Sequence, residues 1–529
     1  MPDPFDVVVV GGGHNGLVAA GLLAKQGARV IVLERRPVVG GAAVTEQPWG
    51  PNYNVTSLSY VVSLMPPTIL RELELERHGY HVFPQRGYFA PRVDGGALQL
   101  TPESIRRFSR RDADALHRWE AWLASLADVL GPLLTAIPPR LGSKRPGDLL
   151  AQAQLAWQLR GLGVRGVGDV TQLFTASIAD LLDEWFESPV VQGVLSVSGV
   201  IGTWAGPRSA GTAYVMAHHK IGDVGDGELG HWGFPRGGMG GVSTALCRAA
   251  DSFGATIRTD AEVARIDARN GRVRGVVLAS GEELRADVVV AATHPSITFL
   301  EQIDRAQLPS EFVTAIQRWK SRSGTVKVNV AVDRLPEFAA APGFDPEVHG
   351  GTIVLAESLD DVEGAFQDAV AGRAASKPFA DICIPSVFDD SLAPAGHHIV
   401  SMFTQWVPHE WATKPDTAEL DDYADRVVAR VETVAPGFSD SIVHRQVIGP
   451  YEMEHEYGLV GGNIFHGELS PGQLFHMRPV PGYADFRTPI AGLYQASSAT
   501  HGGGGVTGIP GMNAARQIVR DRARWRRRA

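Results

Sequence analysis

Glycines and a carboxylate near the start of the chain are spaced to hold a dinucleotide. Gly11, Gly13 and Gly16 follow the apolar run Val7-Val8-Val9-Val10, and Glu34 stands roughly 20 residues beyond them. In this pattern Gly11 permits a tight turn, Gly13 lets the backbone approach a pyrophosphate, and Gly16 allows close helix packing. The helix that opens there presents unpaired N–H groups and a positive dipole end to the phosphate charge. Glu34 is placed to accept ribose hydroxyls. Other chemistries find no support. There is no HExxH or Cys/His ligand cluster, no Gly-x-Ser-x-Gly elbow and no Walker loop. His218-His219-Lys220 and the scattered acids lack metal-ligand spacing, so no metal is expected. Cys247 and Cys383 are the 2 cysteines; far apart and outside any CxxC pair, they exclude a dithiol mechanism and point to a reducing compartment.

The glycine motif needs a strand before it and a helix after it. Phe5 to Val10 reads as a buried parallel strand, a helix runs to about Gln26, Gly27 breaks it, and Ala28 to Leu33 forms a second strand that delivers Glu34. Two further glycine-rich, β-rich segments lie mid-chain and near the C-terminus, so the nucleotide domain is discontinuous. In the middle segment, Gly233 to Gly241 leads into a helix through Ala250. Ala255 to Arg258 and strands around Glu262 to Ile266, Val273 to Leu278 and Ala286 to Ala292 follow, with a hairpin turn at Asn270-Gly271. No buried strand precedes these glycines, so a second dinucleotide site is not expected there.

Between these segments, residues from about 112 to 217 show helical periodicity, with Leu116, Trp119, Trp122, Leu123, Leu126 and Leu130 at three- and four-residue steps. A helical cap lobe fits, and Trp157, Trp185 and Trp204 read as its core. Residues 324 to 450 mix strands, Val326 to Val332 and His398 to Gln405, with a helix from Thr417 to Thr433. They complete the second lobe.

With 529 residues, the chain calls for two or three lobes. A hydrophobic share of 44% and a mean hydropathy of −0.04 describe a soluble protein. The net charge of −9 favours no nucleic-acid partner. The first strand starts within a few residues of Met1 and no apolar run is long enough to cross a bilayer, so a cytoplasmic protein without a leader is expected. At the other end, Arg520, Arg522, Arg524, Arg526, Arg527 and Arg528 crowd around Trp525. They read as a solvated helix end, or as a peripheral contact with an anionic membrane or a partner.

The terminal stretch Gln495-Ala496-Ser497-Ser498-Ala499-Thr500-His501-Gly502-Gly503-Gly504-Gly505-Val506-Thr507-Gly508-Ile509-Pro510-Gly511 completes a family pattern with Gly40-Gly41-Ala42-Ala43 and Pro235 to Gly241. The chain resembles the phytoene desaturase-like FAD-dependent oxidoreductases. Gly462 to Glu468, Arg478-Pro479-Val480-Pro481-Gly482 and Ala42 after the paired glycines bring it nearest the pyridine nucleotide-disulphide oxidoreductase domain-containing protein 2 group. The resemblance spans essentially the whole chain. It implies an α/β fold: a Rossmann-like FAD-binding domain in three pieces (1–80, 230–300, 451–519), a mixed α+β substrate and cap lobe (81–229, largely helical, and 301–450), and a basic tail (520–529).

FAD would lie across all three pieces, with Gly11, Gly13, Gly16, Gly40 and Gly41 at the phosphates, Glu34 on the ribose and the Val263 backbone against the adenine. Gly503, Gly504, Gly505, Val506 and the helix opening at Gly511 would meet the pyrophosphate, ribityl chain or flavin ring. The sequence departs from the pattern at Ala42, where carotenoid desaturases carry arginine, at Ser497, where a glycine is usual, and at Gly502, where a proline is usual. The last would loosen the loop. Near the implied flavin, His466, Glu468 and His501 are the acid–base candidates, with His231 and Trp232 beside them. Arg478 would meet either an anionic substrate group or a buried carboxylate.

A flavin accepts the hydride itself, so the protein must orient a C–H bond and exclude competing reactions. The expectation is hydride transfer between flavin and a C–C bond of an apolar or amphipathic small molecule, in the desaturating or saturating direction, with oxygen, a quinone or a nicotinamide as electron acceptor. Amine oxidation and a mainly binding or assembly role stay open beside it.

Overall fold

The computed structural model describes residues 5–144, 146–224, 230–415 and 417–526, apart from the side chains at 158, 159, 161, 417 and 523–526. Two seven-stranded sheets organise them. In the first, Phe5–Val10 lies between Glu283–Ala291 and Val30–Leu33, parallel to both, and Val30–Leu33 pairs in parallel with Thr256–Arg258. Leu493–Gln495 joins the far half of Glu283–Ala291 in parallel. The near half continues antiparallel into Arg272–Leu278 and Val263–Arg269. Central parallel strands are covered on both faces, which is why Val7 to Val10 needs no polar alternation.

Helices His14–Lys25, Met239–Ser252 and Ile509–Arg526 cover one face. The other carries the antiparallel strands, the turn at 297–301 and helix Ser310–Gln317. The Asn270-Gly271 hairpin forms as expected: φ is +51° at Asn270 and +71° at Gly271, the pair of left-handed residues that a two-residue turn demands.

The second sheet runs in the order Ile442–Ile448, Thr325–Val332, His398–Gln405, Phe379–Cys383, Thr352–Leu355, Tyr88–Pro91, Ala97–Gln99. Its core strand alternates sharply. Val326, Val328, Val330 and Val332 pack into the main hydrophobic core with Val427 and Val431 of helix Thr417–Glu432. Lys327 and Asn329 point the opposite way, as the two-residue period of a strand requires.

Helices Arg110–Thr135, Pro146–Leu159, Gly163–Thr175, Ile178–Trp185, Pro189–Val197 and Thr212–Lys220 occupy the stretch read as helical. Leu116, Trp119, Leu123, Leu126 and Leu130 are buried along one stripe, and Trp119 meets Trp122, Trp185 and Phe186 at 5.4–5.6 Å between ring centroids. Trp185 and Trp204 pack against this core half-buried. Trp157 does not join it. It is 63% exposed and covered by the Arg160 guanidinium, 3.0 Å from the ring centroid, because its helix lies outside the layers that supply the core.

In the basic tail, Arg520 is exposed and Arg522 pairs with Asp6 at 3.5 Å. Arg527 and Arg528, and the side chains of Arg524, Trp525 and Arg526, lie outside the described residues. No described helix is long and apolar enough to cross a membrane.

Candidate active site

The C-terminal ends of Phe5–Val10 and Val30–Leu33 open onto a groove of about 310 Å³. Gly11, Gly13, Gly16, Gly40 and Gly41 line it at one end with Glu34. Two of these glycines do different things. A Cβ on Gly13 would find nothing nearer than the Gly40 carbonyl at 4.0 Å, so the bare Cα faces open groove; one on Gly16 would lie 2.1 Å from the Gly11 carbonyl. The first absence makes room for a ligand and the second closes the turn. Glu34 stands at the strand end, its Oε2 accepting from the Gly12 N–H (2.7 Å) and its Oε1 from the Arg36 N–H (2.9 Å). It therefore orders the glycine loop as well as facing the groove. Val263 lines the same end, and its carbonyl accepts from Gln302 Nε2 at 2.8 Å.

Burial without partners marks this groove. His14 Nε2, Asn15 Oδ1, Arg36 Nη1, Gln302 Oε1 and His466 Nδ1 are all buried without a hydrogen-bond partner in the protein, and all five residues line it. Such atoms are costly unless a ligand or solvent satisfies them. A long, polar, diphosphate-bearing molecule fits this donor and acceptor set.

His14, Ala42, Leu459, Ile464 and Ser498 also belong to the wall of a second cavity, of about 130 Å³. Tyr60, Tyr88, Trp232, Phe403, Met453 and Phe465 give it an apolar and aromatic lining, and Lys327 and Asp381 enter from the second sheet. Asn15 Nδ2 donates to Ser498 Oγ at 3.1 Å at the junction of the two spaces.

Residues 201–518 match the family model described as flavin containing amine oxidoreductase, and residues 9–69 match an NAD(P)-binding Rossmann-like domain. The chain belongs to the flavin-containing amine oxidoreductases. Pyridine nucleotide-disulfide oxidoreductase domain-containing protein 2 of Rattus norvegicus is 40% identical, over 98% of this chain and 94% of its own length. A limonene dehydrogenase subunit of Castellaniella defragrans is 26% identical, over 98% of this chain and 94% of its own length. Cyclohexylamine oxidase from Brevibacterium oxydans shares the fold with a TM-score of 0.60 at 17% identity, over 98% of this chain and 99% of that one.

FAD is accordingly the cofactor of this flavin-containing amine oxidoreductase, and the residues of the groove suit it. Of the residues read from sequence as cofactor contacts, Gly11, Gly13, Gly16, Glu34, Gly40, Gly41 and Val263 line the groove, while Gly505 and Val506 line the adjoining chamber. Three do not reach either space. Gly503 and Gly504 are buried against protein: Phe465 stands where a Gly504 Cβ would go, 2.6 Å away, and His218 lies beside Gly503. Gly511 lies against the Asn15 carbonyl, 2.1 Å from its missing Cβ, so it sets the crossing of the last helix over the first. Nor is the terminal loop loose at Gly502. Its φ of +93° suits glycine, and Ile509 fills the space beside it.

The acid–base candidates separate in the same way. His466 lines the groove with a φ of +57° in a turn held by Asn463, whose Oδ1 accepts from the Phe465 and Gly467 N–H groups, each at 3.0 Å. Burial, with His14 and Arg478 adding to it, lowers its pKa to about 3, so the position supplies a neutral ring. Glu468 faces elsewhere, its carboxylate bound by Arg322 at 2.7 and 3.2 Å. His501 Nε2 is bonded to the Leu133 carbonyl at 2.8 Å and lines neither cavity. Both side chains are held by protein groups outside the two cavities.

Trp232 reaches the chamber, whereas His231 does not; its carbonyl accepts from Ser63 Oγ at 2.7 Å. Arg478 pairs with backbone carbonyls, not with a carboxylate: 2% exposed, it donates to those of Ser498 (2.9 Å), Phe465 (2.7 Å) and Gln473 (3.1 Å). Its one guanidinium thereby ties three chain segments behind the site. Sequence reading passed over His14, His294, Lys327 and Asp381. His14 sits inside the glycine motif; His294 reaches the groove, and Lys327 and Asp381 reach the chamber, only through the fold.

Proposed function

We propose that this flavoprotein is a dehydrogenase acting on a C–C bond of an apolar or amphipathic small molecule held in the aromatic chamber. The observation that carries this reading is the chamber's lining of Tyr60, Tyr88, Trp232, Phe403, Met453 and Phe465, joined to the cofactor groove by shared wall residues. When bound, the flavin supplies a hydride acceptor. The chain's own part is to bind the hydrocarbon by burying it, to hold it against the groove wall at His14, Ala42, Ile464 and Ser498, and to exclude water from the reacting bond. Neutral His14 and His466 rings, both held below the usual histidine range by burial, offer hydrogen bonds to the cofactor without adding charge beside it. The name of the limonene dehydrogenase relative, which aligns across nearly the whole chain, supports an apolar substrate.

Anaerobic titration of the purified flavoprotein tests this. Limonene is expected to bleach the visible flavin band while cyclohexylamine leaves it unchanged. Bleaching by the amine alone would transfer the chain to C–N oxidation.

A further inference from the structure

Two opposite charges stand in the wall of this otherwise apolar chamber. Lys327 is 1% exposed and Asp381 is 6% exposed. They occupy one row of the second sheet, paired with Phe403 from its two sides, and all three residues line the chamber. No ion pair joins the two charges. The Lys327 ammonium donates to Ser401 Oγ and lies 4.3 Å from the centre of the Tyr60 ring. Ser401 in turn donates to Asn329 Oδ1 at 3.0 Å. The Tyr60 hydroxyl faces the Asp381 carboxylate, whose Oδ1 has no partner in the protein.

A sheet built only for stability gains nothing from this row. Buried charges are strongly unfavourable unless closely paired, and apolar residues of similar volume would pack as well. The arrangement makes sense as a receptor. We propose that Lys327 and Asp381 form a subsite for a neutral hydroxyl group on an otherwise apolar substrate, with Lys327 donating to the hydroxyl oxygen and Asp381 Oδ1 accepting its proton in a hydrogen bond. The pair carries no net charge. A cationic head group would face the Lys327 ammonium and an anionic one the Asp381 carboxylate, whereas a hydroxyl both donates and accepts. Burial brings Lys327 down to about 7 and Asp381 up to about 7, so the pair also stays neutral when the proton moves from lysine to aspartate. Tyr60, Tyr88, Trp232 and Phe403 then hold the hydrocarbon body. No bond is made or broken at this subsite; it anchors one end of the molecule and so selects which C–H bonds meet the cofactor.

This inference rests on the chamber being the substrate site. Its test is binding without turnover to the FAD-holding protein at neutral pH under nitrogen, read by calorimetry and by perturbation of the flavin absorbance, with octane, octanol, octylamine and octanoate as probes. Octanol is expected to bind at least about ten-fold more tightly than octane, a difference of about 1.4 kcal/mol, and more tightly than either charged probe. Asp381→Asn and Lys327→Met are each expected to cut the advantage of octanol over octane to under about three-fold. Equal binding of octanol and octane by the natural protein, tighter binding of a charged probe, or an advantage that survives both substitutions would overturn the subsite while leaving the chamber in place. Failure of all four probes to bind the flavin-bearing protein would overturn the chamber and the subsite together. Should either variant lose its flavin, the ranking of the four probes on the natural protein decides alone.

Discussion

Val7 to Val10 in the first sheet and Val326 to Val332 in the second are valine-rich strands buried on both faces, yet they deliver chemistry in opposite ways. The first is apolar at every position and acts beyond its end, where the backbone of the glycine loop meets the groove. The second acts from its middle, where Lys327 and Asn329 replace every other apolar residue. Backbone chemistry of the first kind tolerates no side chain at chosen points. Side-chain chemistry of the second kind requires charges to be buried where the fold alone would not place them.

The sharpest way to break this comparison is to add a single methyl group within the glycine loop. Gly16→Ala drives a Cβ to 2.1 Å from the Gly11 carbonyl and is expected to destabilise the fold by more than about 4 kcal/mol, read as loss of soluble folded protein. Gly13→Ala has room for its Cβ within the protein, so the apoprotein should keep its thermal midpoint while FAD affinity falls at least about 100-fold, about 2.7 kcal/mol. If Gly13→Ala retained flavin, the groove would not be the diphosphate site.

Arg478 is the side-chain counterpart of the glycine loop, tying chain segments behind the same site. Arg478→Met leaves the Ser498, Phe465 and Gln473 carbonyls without their buried donor, and a loss of about 3 kcal/mol in denaturant unfolding is expected. A loss below about 1 kcal/mol would mean that the terminal loop and the Asn463 turn hold themselves.

Buried histidines around this loop add a pH dependence. His218, His219 and His501 are 1%, 6% and 2% exposed, and burial foremost lowers their pKa values to about 3, 4 and 4. Above pH 6.5, their ordinary value, the rings are neutral in both folded and unfolded chains, and their full contribution is present. As pH falls from there toward 4, the unfolded chain takes up protons that the folded chain refuses, so stability declines by about 1.4 kcal/mol per pH unit for each ring. His501→Gln can keep the hydrogen bond to the Leu133 carbonyl without titrating. Unfolding measured from pH 7 to 4 should show a slope shallower by that one contribution; an unchanged slope would mean that His501 protonates in the folded state.

The glycine loop, the Glu34 strand, the Asn270-Gly271 hairpin and the helical stripe through Trp119 were legible because each is local: a few neighbouring residues fix φ, period or turn type. The strands of the three glycine-rich stretches, Phe5–Val10, Glu283–Ala291 and Leu493–Gln495, lie in one sheet. Lys327 and Asp381 were not legible. They are 54 residues apart in number, and only the antiparallel pairing of three strands sets them in one row. The same limit explains His501 and Glu468, which sit in glycine-rich family segments but whose side chains are taken by Leu133 and Arg322 from distant parts of the chain. Trp157 fell on the surface because helical spacing does not tell which helix lies against the sheet.

The finest discrimination is between two residues of one short turn. His466 lines the groove with Nδ1 unpartnered, while Glu468, two residues on, is locked to Arg322. His466→Gln is expected to weaken FAD binding by about ten-fold, near 1.4 kcal/mol, and to shift the flavin absorbance, because an amide replaces a ring beside the cofactor. Glu468→Gln should leave both within about three-fold and cost about 1 kcal/mol of stability through its ion pair with the partly exposed Arg322. The reverse result would place the Glu468 carboxylate in the groove when flavin is bound. That would require Arg322 to release it, and Arg322→Gln would then tighten rather than leave unchanged the effect of Glu468 on flavin binding.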